Sequence, residues 1–171
     1  MDRSFGVEAK SGVNCVRPLE QEVYLSLVRA FELFSGDLTR LCREHGISPF
    51  QLNVLRILRG AGEQGLPCLS IADRMLNRIP DMTRMIDRLE AMGLVTRSRT
   101  AEDRRVVLVR LTIKGRDLLA RLDQPLVDMH MEHFSHMDQD ELFRLYQLLQ
   151  KAQAGQGEGM GAELEEDRKL G

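Results

Sequence analysis

The 171-residue sequence has only three cysteines, Cys15, Cys42 and Cys68, and none of them stands in a CxxC pair. This spacing predicts neither a zinc-binding knuckle nor a disulfide framework. No apolar run is long enough to span a bilayer, and the N-terminal residues lack the apolar core of a signal peptide. We therefore expect a cytoplasmic protein without membrane contact.

Common catalytic motifs are missing as well. The sequence contains no Gly-rich phosphate loop, no Ser-His-acid arrangement and no metalloenzyme motif. The expectation is a protein that is not an enzyme and needs no cofactor.

Net charge is also low, at −2, but the average hides an asymmetry. Residues 70–116 hold 11 Arg and Lys against 6 Asp and Glu, which gives this segment +5 and leaves −7 for the remainder. A basic block within an acidic chain favours a local nucleic-acid footprint over a bulk polycation. A solvated surface of mixed charge is the alternative.

Hydrophobic periodicity divides the chain into an arm, one domain and a tail. Residues 1–17 show no periodicity and predict a flexible arm, whereas the Gly- and Glu-rich residues 152–171 predict a disordered tail. Between them, residues 18–151 predict a single, mostly α-helical domain with a small β-hairpin. Long helices are expected at 18–45 and 112–151, the latter bent or interrupted near Pro125.

Residues 48–111 predict a helix-turn-helix followed by a two-stranded wing. Ser48 and Gln51 form a capping box that begins one helix. The next, shorter helix is expected to have an apolar face of Leu69, Ala72, Met75 and Leu76. Pro80 is expected to open the second helix of the pair, which ends at Gly93 and is apolar on one side. Its opposite side carries five polar residues: Asp81, Thr83, Arg84, Asp87 and Arg88.

A polar helix face of this kind fits the major groove, where arginine can bridge O6 and N7 of guanine. An ordinary amphipathic surface helix explains it equally well. The hairpin favours the DNA-binding interpretation, because arginines at its tip suit the narrow minor groove beside such a helix. The wing residues are Arg97, Arg99, Asp103, Arg104 and Arg105.

Residues 86–115, IDRLEAMGLVTRSRTAEDRRVVLVRLTIKG, closely resemble the DRLE-x-x-GLV-x-R…EDRR…V-x-LT-x-KG signature of MarR-type transcriptional regulators. The resemblance implies a winged helix-turn-helix repressor that dimerises through its first and last helices. It also implies binding to a pseudo-palindromic DNA operator, with Arg105 entering the minor groove and Thr83 and Arg84 contacting bases. Asp81 departs from the small polar residues common in relatives; it would repel phosphate unless it meets a cytosine N4 or pairs with Arg84.

The signal to which such a regulator responds is less clearly encoded. No activating cation stands out beside the three cysteines, and His136 is rotated about 120° from His130 on an ideal helix. His130 and His133 are therefore only weak metal candidates, and no metal site is predicted. The favoured inducer is a small aromatic ligand, in a pocket lined by Phe31, Phe34 and Leu55, although these residues suit a core equally well. A redox- or metal-responsive regulator and a winged-helix protein-interaction module are the alternatives.

Overall fold

The computed structural model describes residues 18–75, 81–99 and 106–166, with side chains described as far as residue 154. Six α-helices in this part of the chain are α1 (Leu19–Glu44), α2 (Pro49–Gly60), α3 (Cys68–Asp73), α4 (Met82–Ala91), α5 (Ile113–His133) and α6 (Gln139–Glu166). Three strands are β1 (Leu66–Pro67), β2 (Val95–Arg99) and β3 (Val107–Leu111). The predicted fold class, mostly α with a β-hairpin wing, is confirmed. None of the described helices could cross a membrane.

The helix ends follow the predicted capping chemistry. Ser48 Oγ accepts the backbone N–H of Gln51 at 3.2 Å, and the Gln51 side chain accepts the N–H of Ser48 at 2.8 Å. Asp138 and Glu141 repeat this reciprocal box before α6. Gly93, at φ +72°, closes α4 in a left-handed conformation that L side chains rarely adopt. Local sequence therefore sets these boundaries.

The small sheet has the order β1-β3-β2 and is antiparallel throughout. β2 and β3 form the predicted hairpin, with Val95 opposite Leu111 and Arg99 opposite Val107. The third strand, β1, was not predicted, because its two residues are too few to show a period-two pattern. It pairs Leu66 with Val109, so the hairpin is anchored to the chain that leads into α3.

The core lies between α2, α3, α4, the sheet and the first half of α5. The end of α1 adds Cys42. The side chains that are at most 2% exposed are Cys42, Val54, Leu55, Leu58, Ile71, Ile86, Leu89, Leu94, Val95, Val109, Leu119 and Leu122. The expected face of α3 was partly wrong. Leu69 is 79% exposed, whereas Ile71 is fully buried, so the short helix packs one position away from the expected stripe.

By their internal contacts the residues form two compact units, Met1–Val127 and Asp128–Gly171. The expected single domain over 18–151 stays a prediction. Both C-terminal helices are long. α5 contains Pro125 and is not interrupted there, although proline removes one intrahelical hydrogen bond, and the alternative expectation of a bend at this point stays a prediction. α6 extends from Gln139 to Glu166. The disordered tail expected over residues 152–171 stays a prediction.

Residues of the LT-x-KG motif join the end of α4 to the start of α5. Thr112 Oγ1 donates to the carbonyl of Gly93 at 2.8 Å and accepts the N–H of Gly115 at 3.0 Å. Lys114 Nζ donates to the carbonyl of Met92 at 2.8 Å. A Cβ at Gly115 would collide with the carbonyl oxygen of Leu94, so glycine permits this close approach.

We therefore expect Gly115→Ala to destabilise the fold. Overpacking against backbone costs about 1–3 kcal/mol, and the better helix propensity of alanine returns at most about 1 kcal/mol. Urea unfolding should show a loss of about 1–2 kcal/mol. The control is Gly60→Ala, where no atom lies within 4 Å of the added Cβ and stability should hold or rise. Equal stability of the Gly115 variant and the parent would contradict this account of the contact.

Candidate nucleic-acid interface

Helix α4 presents one apolar and one polar face, as the sequence predicts. Met82, Ile86 and Leu89 are buried against the core. All five predicted contact residues are exposed on the opposite side: Asp81, Thr83, Arg84, Asp87 and Arg88. The structure thus brings the recognition-helix candidates together on a single solvent-facing surface.

The start of α4 differs slightly from the expectation, since the helix begins at Met82 with Asp81 as N-cap. Asp81 Oδ1 accepts the backbone N–H of Arg84 at 3.0 Å, and Asp81 Oδ2 lies 3.0 Å from Arg84 Nε. Of the two ways in which Asp81 could be accommodated, the structure shows the pairing with Arg84. Pro80 lies outside the described residues.

Arg97 of β2 connects the hairpin to α4. Its Nη1 lies 2.6 Å from Asp87 Oδ1 and 2.8 Å from Glu90 Oε2, and its Nη2 donates to the carbonyl of Thr83 at 3.3 Å. The backbone N–H of Arg97 also donates to Glu90 Oε1 at 3.1 Å. Four contacts between one strand residue and one helix fix the relative position of the two elements.

Electrostatics favour this arrangement. Partial burial alone would lower the pKa of Arg97, but hydrogen bonds and charge from Asp87, followed by those from Glu90, outweigh it and raise the pKa. Arg97 is therefore cationic at any physiological pH. The Arg97 side chain is only 24% exposed, whereas that of its partner Asp87 stays 54% exposed. The predicted contacts of both residues with DNA stay predictions.

Glu90 is the functional residue that sequence reasoning missed. A weak signal was present, because Asp87 and Glu90 are separated by three residues and therefore lie on adjacent turns of one helix face. This spacing places the two acids together on the helix but does not identify the cation that they contact.

The wing is only partly described. Arg99 is exposed at the end of β2, opposite Val107. Asp103, Arg104 and Arg105 lie outside the described residues, so their predicted roles stay predictions. Arg110 of β3 donates from Nε to the carbonyl of Glu63 at 2.9 Å and from Nη1 to Ser98 Oγ, which supports the base of the hairpin.

The family model described as the MarR family matches residues 47–107. The HTH-type transcriptional regulator YkoM of Bacillus subtilis is 34% identical over 131 residues, covering 76% of this chain and 83% of YkoM. This protein belongs to the MarR family of transcriptional regulators. The HTH-type transcriptional repressor MdtR of Bacillus subtilis is 34% identical over 97 residues, covering 57% of this chain and 61% of MdtR.

Solved structures agree with the assignment of the fold. The MarR transcription factor from Planctomyces limnophilus has 40% sequence identity and a TM-score of 0.61. The match covers 78% of this chain and 97% of that one. The described winged helix-turn-helix is thus a MarR-family fold.

The ligand pocket expected from sequence at Phe31, Phe34 and Leu55 stays a prediction, and Phe34 is half-buried on α1. Leu55 is fully buried in the core, whereas Phe31 is 62% exposed on α1. A different cleft, of about 260 Å³, opens in the first unit between the ends of α1 and α4 and the start of α5. It is lined by His45, Gly46, Met92, Leu94, Lys114, Leu118 and Arg121.

The cysteine and histidine side chains are the candidates for redox or metal sensing. Cys42 is fully buried, and this burial raises the pKa of its thiol, so the unreactive protonated form prevails at neutral pH. Cys68 is half-buried, and Cys15 lies outside the described residues. The rings of His130 and His133 are 6.2 Å apart between centroids. Within the described ranges, no three metal-binding side chains converge.

Proposed function

We propose that this MarR-family protein binds double-stranded DNA sequence-specifically in the cytoplasm and represses transcription by occluding a promoter. The observation that carries the proposal is the exposed polar face of α4 held to β2 by Arg97. A helix of this width fits the major groove, and its first turns reach the base edges. A hairpin fixed beside it extends over the adjacent minor groove.

Three further observations support this assignment. The side chain of Arg84 is 80% exposed, and Thr83 and Arg88 lie beside it on the same face. Two relatives are named HTH-type transcriptional regulators or repressors. The acidic groups nearest to this face, Asp81 and Asp87, are each paired with an arginine, which reduces their repulsion of phosphate.

Selection of bound fragments from a random DNA pool tests the proposal and yields the half-site. Arg105→Ala should then weaken binding to the selected operator and reduce the slope of log K against log salt by about one unit. Lys151→Ala, which removes one positive charge from α6, is the control and should leave both quantities unchanged.

Failure of the pool to yield any enriched sequence would refute DNA binding and favour a winged-helix module that recognises an acidic protein. Undiminished operator affinity of the Arg105 variant would refute the wing assignment alone.

The protein is further proposed to act as a homodimer. α1 exposes a series of large apolar side chains, each at least 39% accessible: Leu19, Val23, Tyr24, Leu27, Val28, Phe31 and Leu33. α6 separately exposes Phe143, Tyr146 and Leu148. So much apolar surface is unusual for a monomer and suits burial against a second copy.

We expect sedimentation velocity to show a dimer at micromolar concentration. Leu27→Glu should shift the protein towards monomer, because burying an unpaired carboxylate opposes association. Arg29→Gln, about 160° away around α1 from Leu27, should remain dimeric. A folded monomer of the parent protein would contradict the proposal.

The proposed signal is a small amphipathic organic molecule that favours the DNA-incompetent dimer. Buried Cys42 is poorly suited to oxidation, and the cleft near α5 combines an apolar lining with Lys114 and Arg121. The ligand must bind one dimer state better than the other, since equal affinity shifts nothing. A change of a few ångströms in the roughly 34 Å between the two copies of α4 would release the operator.

Peroxide and zinc titrations distinguish this signal from its alternatives. Neither agent should release DNA from the parent protein. The matched variants replace all three cysteines by serine, or His130 and His133 by alanine. If peroxide or zinc releases DNA from the parent protein but not from the matching variant, the organic-ligand proposal is refuted and the protein is a redox or metal sensor.

A further inference from the structure

The ion pair between Asp81 and Arg84 occupies the point where α4 would meet the base edges. One carboxylate engages two groups of the same residue: Oδ1 accepts the Arg84 backbone N–H, and Oδ2 contacts its Nε, both at 3.0 Å. Asp81 therefore fixes both the backbone and the guanidinium of Arg84. The inference below rests on the proposed DNA binding.

The geometry of the guanidinium determines which N–H donors of Arg84 can still bind DNA after the contact with Asp81. Arginine carries five N–H donors in one plane, and a contact at Nε uses the side of that plane. The two terminal Nη groups form the end of the fork and stay clear of a carboxylate at Nε. With the side chain 80% exposed, that end is accessible to a ligand.

We propose that Asp81 is a positioning residue that directs the terminal Nη pair of Arg84 to a guanine in each operator half-site. Guanine presents O6 and N7 as two adjacent acceptors in the major groove, and the end of the fork matches them bidentately. An exposed ion pair favours the paired geometry by a factor of up to about five. The restraint reduces the freedom that Arg84 would lose on binding.

A carboxylate beside DNA has the opposite effect on binding without base contacts. Pairing with Arg84 reduces but does not remove the repulsion between Asp81 and phosphate, and the same pairing partly neutralises Arg84. Asp81 should therefore lower affinity for DNA that lacks the half-site. Asp81 thus increases the ratio of specific to nonspecific affinity. A merely structural cap would change both affinities in the same direction.

Asp81→Asn separates the two roles, because asparagine caps a helix as well as aspartate does but carries no charge. The variant should bind random DNA more tightly, with a steeper salt dependence, while its preference for guanine over other bases falls by a factor of about three or more. Asp117→Asn in α5 removes the same charge elsewhere and should retain the parent's preference.

Arg84→Lys tests the proposed contact between Arg84 and guanine directly. In the parent protein, replacing the guanine should weaken binding between about 5-fold and 100-fold. The lysine variant keeps the charge but lacks the planar fork, so its preference at that position should largely disappear. Circular dichroism of each variant verifies the helical content.

The outcomes for this inference and for DNA binding are distinguishable. If the parent and either Asp81→Asn or Arg84→Lys show the same preference for guanine in the selected operator, the proposed roles of Asp81 and Arg84 are wrong. DNA binding itself would be intact. An equal loss of specific and nonspecific affinity in Asp81→Asn would also overturn it, since it would identify a cap alone. If the selection yields no operator, the proposed function itself is refuted, and this inference with it.

Discussion

Arg97 links the two elements that would contact DNA, and the geometry of the whole interface depends on it. A hairpin of two five-residue strands could take many angles relative to a ten-residue helix. Contacts from Arg97 to Asp87, to Glu90 and to the carbonyl of Thr83 select one of them. The Arg97 guanidinium is largely shielded from solvent and contacts several groups. These contacts therefore form a network, which stabilises the arrangement more than an isolated surface ion pair would.

The signature of the family has a physical basis in this chain. Its DRLE segment supplies Asp87 and Glu90, and its GLV-x-R segment supplies Arg97. Its LT-x-KG segment supplies Thr112, whose hydroxyl bridges the end of α4 to the start of α5. These residues serve the placement of α4, whereas Thr83, Arg84 and Arg88 remain exposed and available for recognition.

Sequence reasoning predicted the elements with strong local signals and missed those that depend on tertiary contact. The capping box at Ser48 and the amphipathic face of α4 were confirmed. The strand at Leu66 and the burial of Ile71 were missed, because each is decided by packing rather than by periodicity. The pairing of Arg97 could not be anticipated either, since alternation in β2 places a side chain on a face without showing its partner.

Hydroxyl-radical footprinting of the operator complex, for the parent and for Arg97→Met at equal occupancy, tests the central claim that α4 and the hairpin bind as one unit. The account predicts that the parent protects the minor groove flanking each major-groove site. It also predicts that Arg97→Met loses that flanking protection, while guanine N7 in the major groove stays protected from dimethyl sulfate methylation. An identical footprint for the two proteins would contradict the claim.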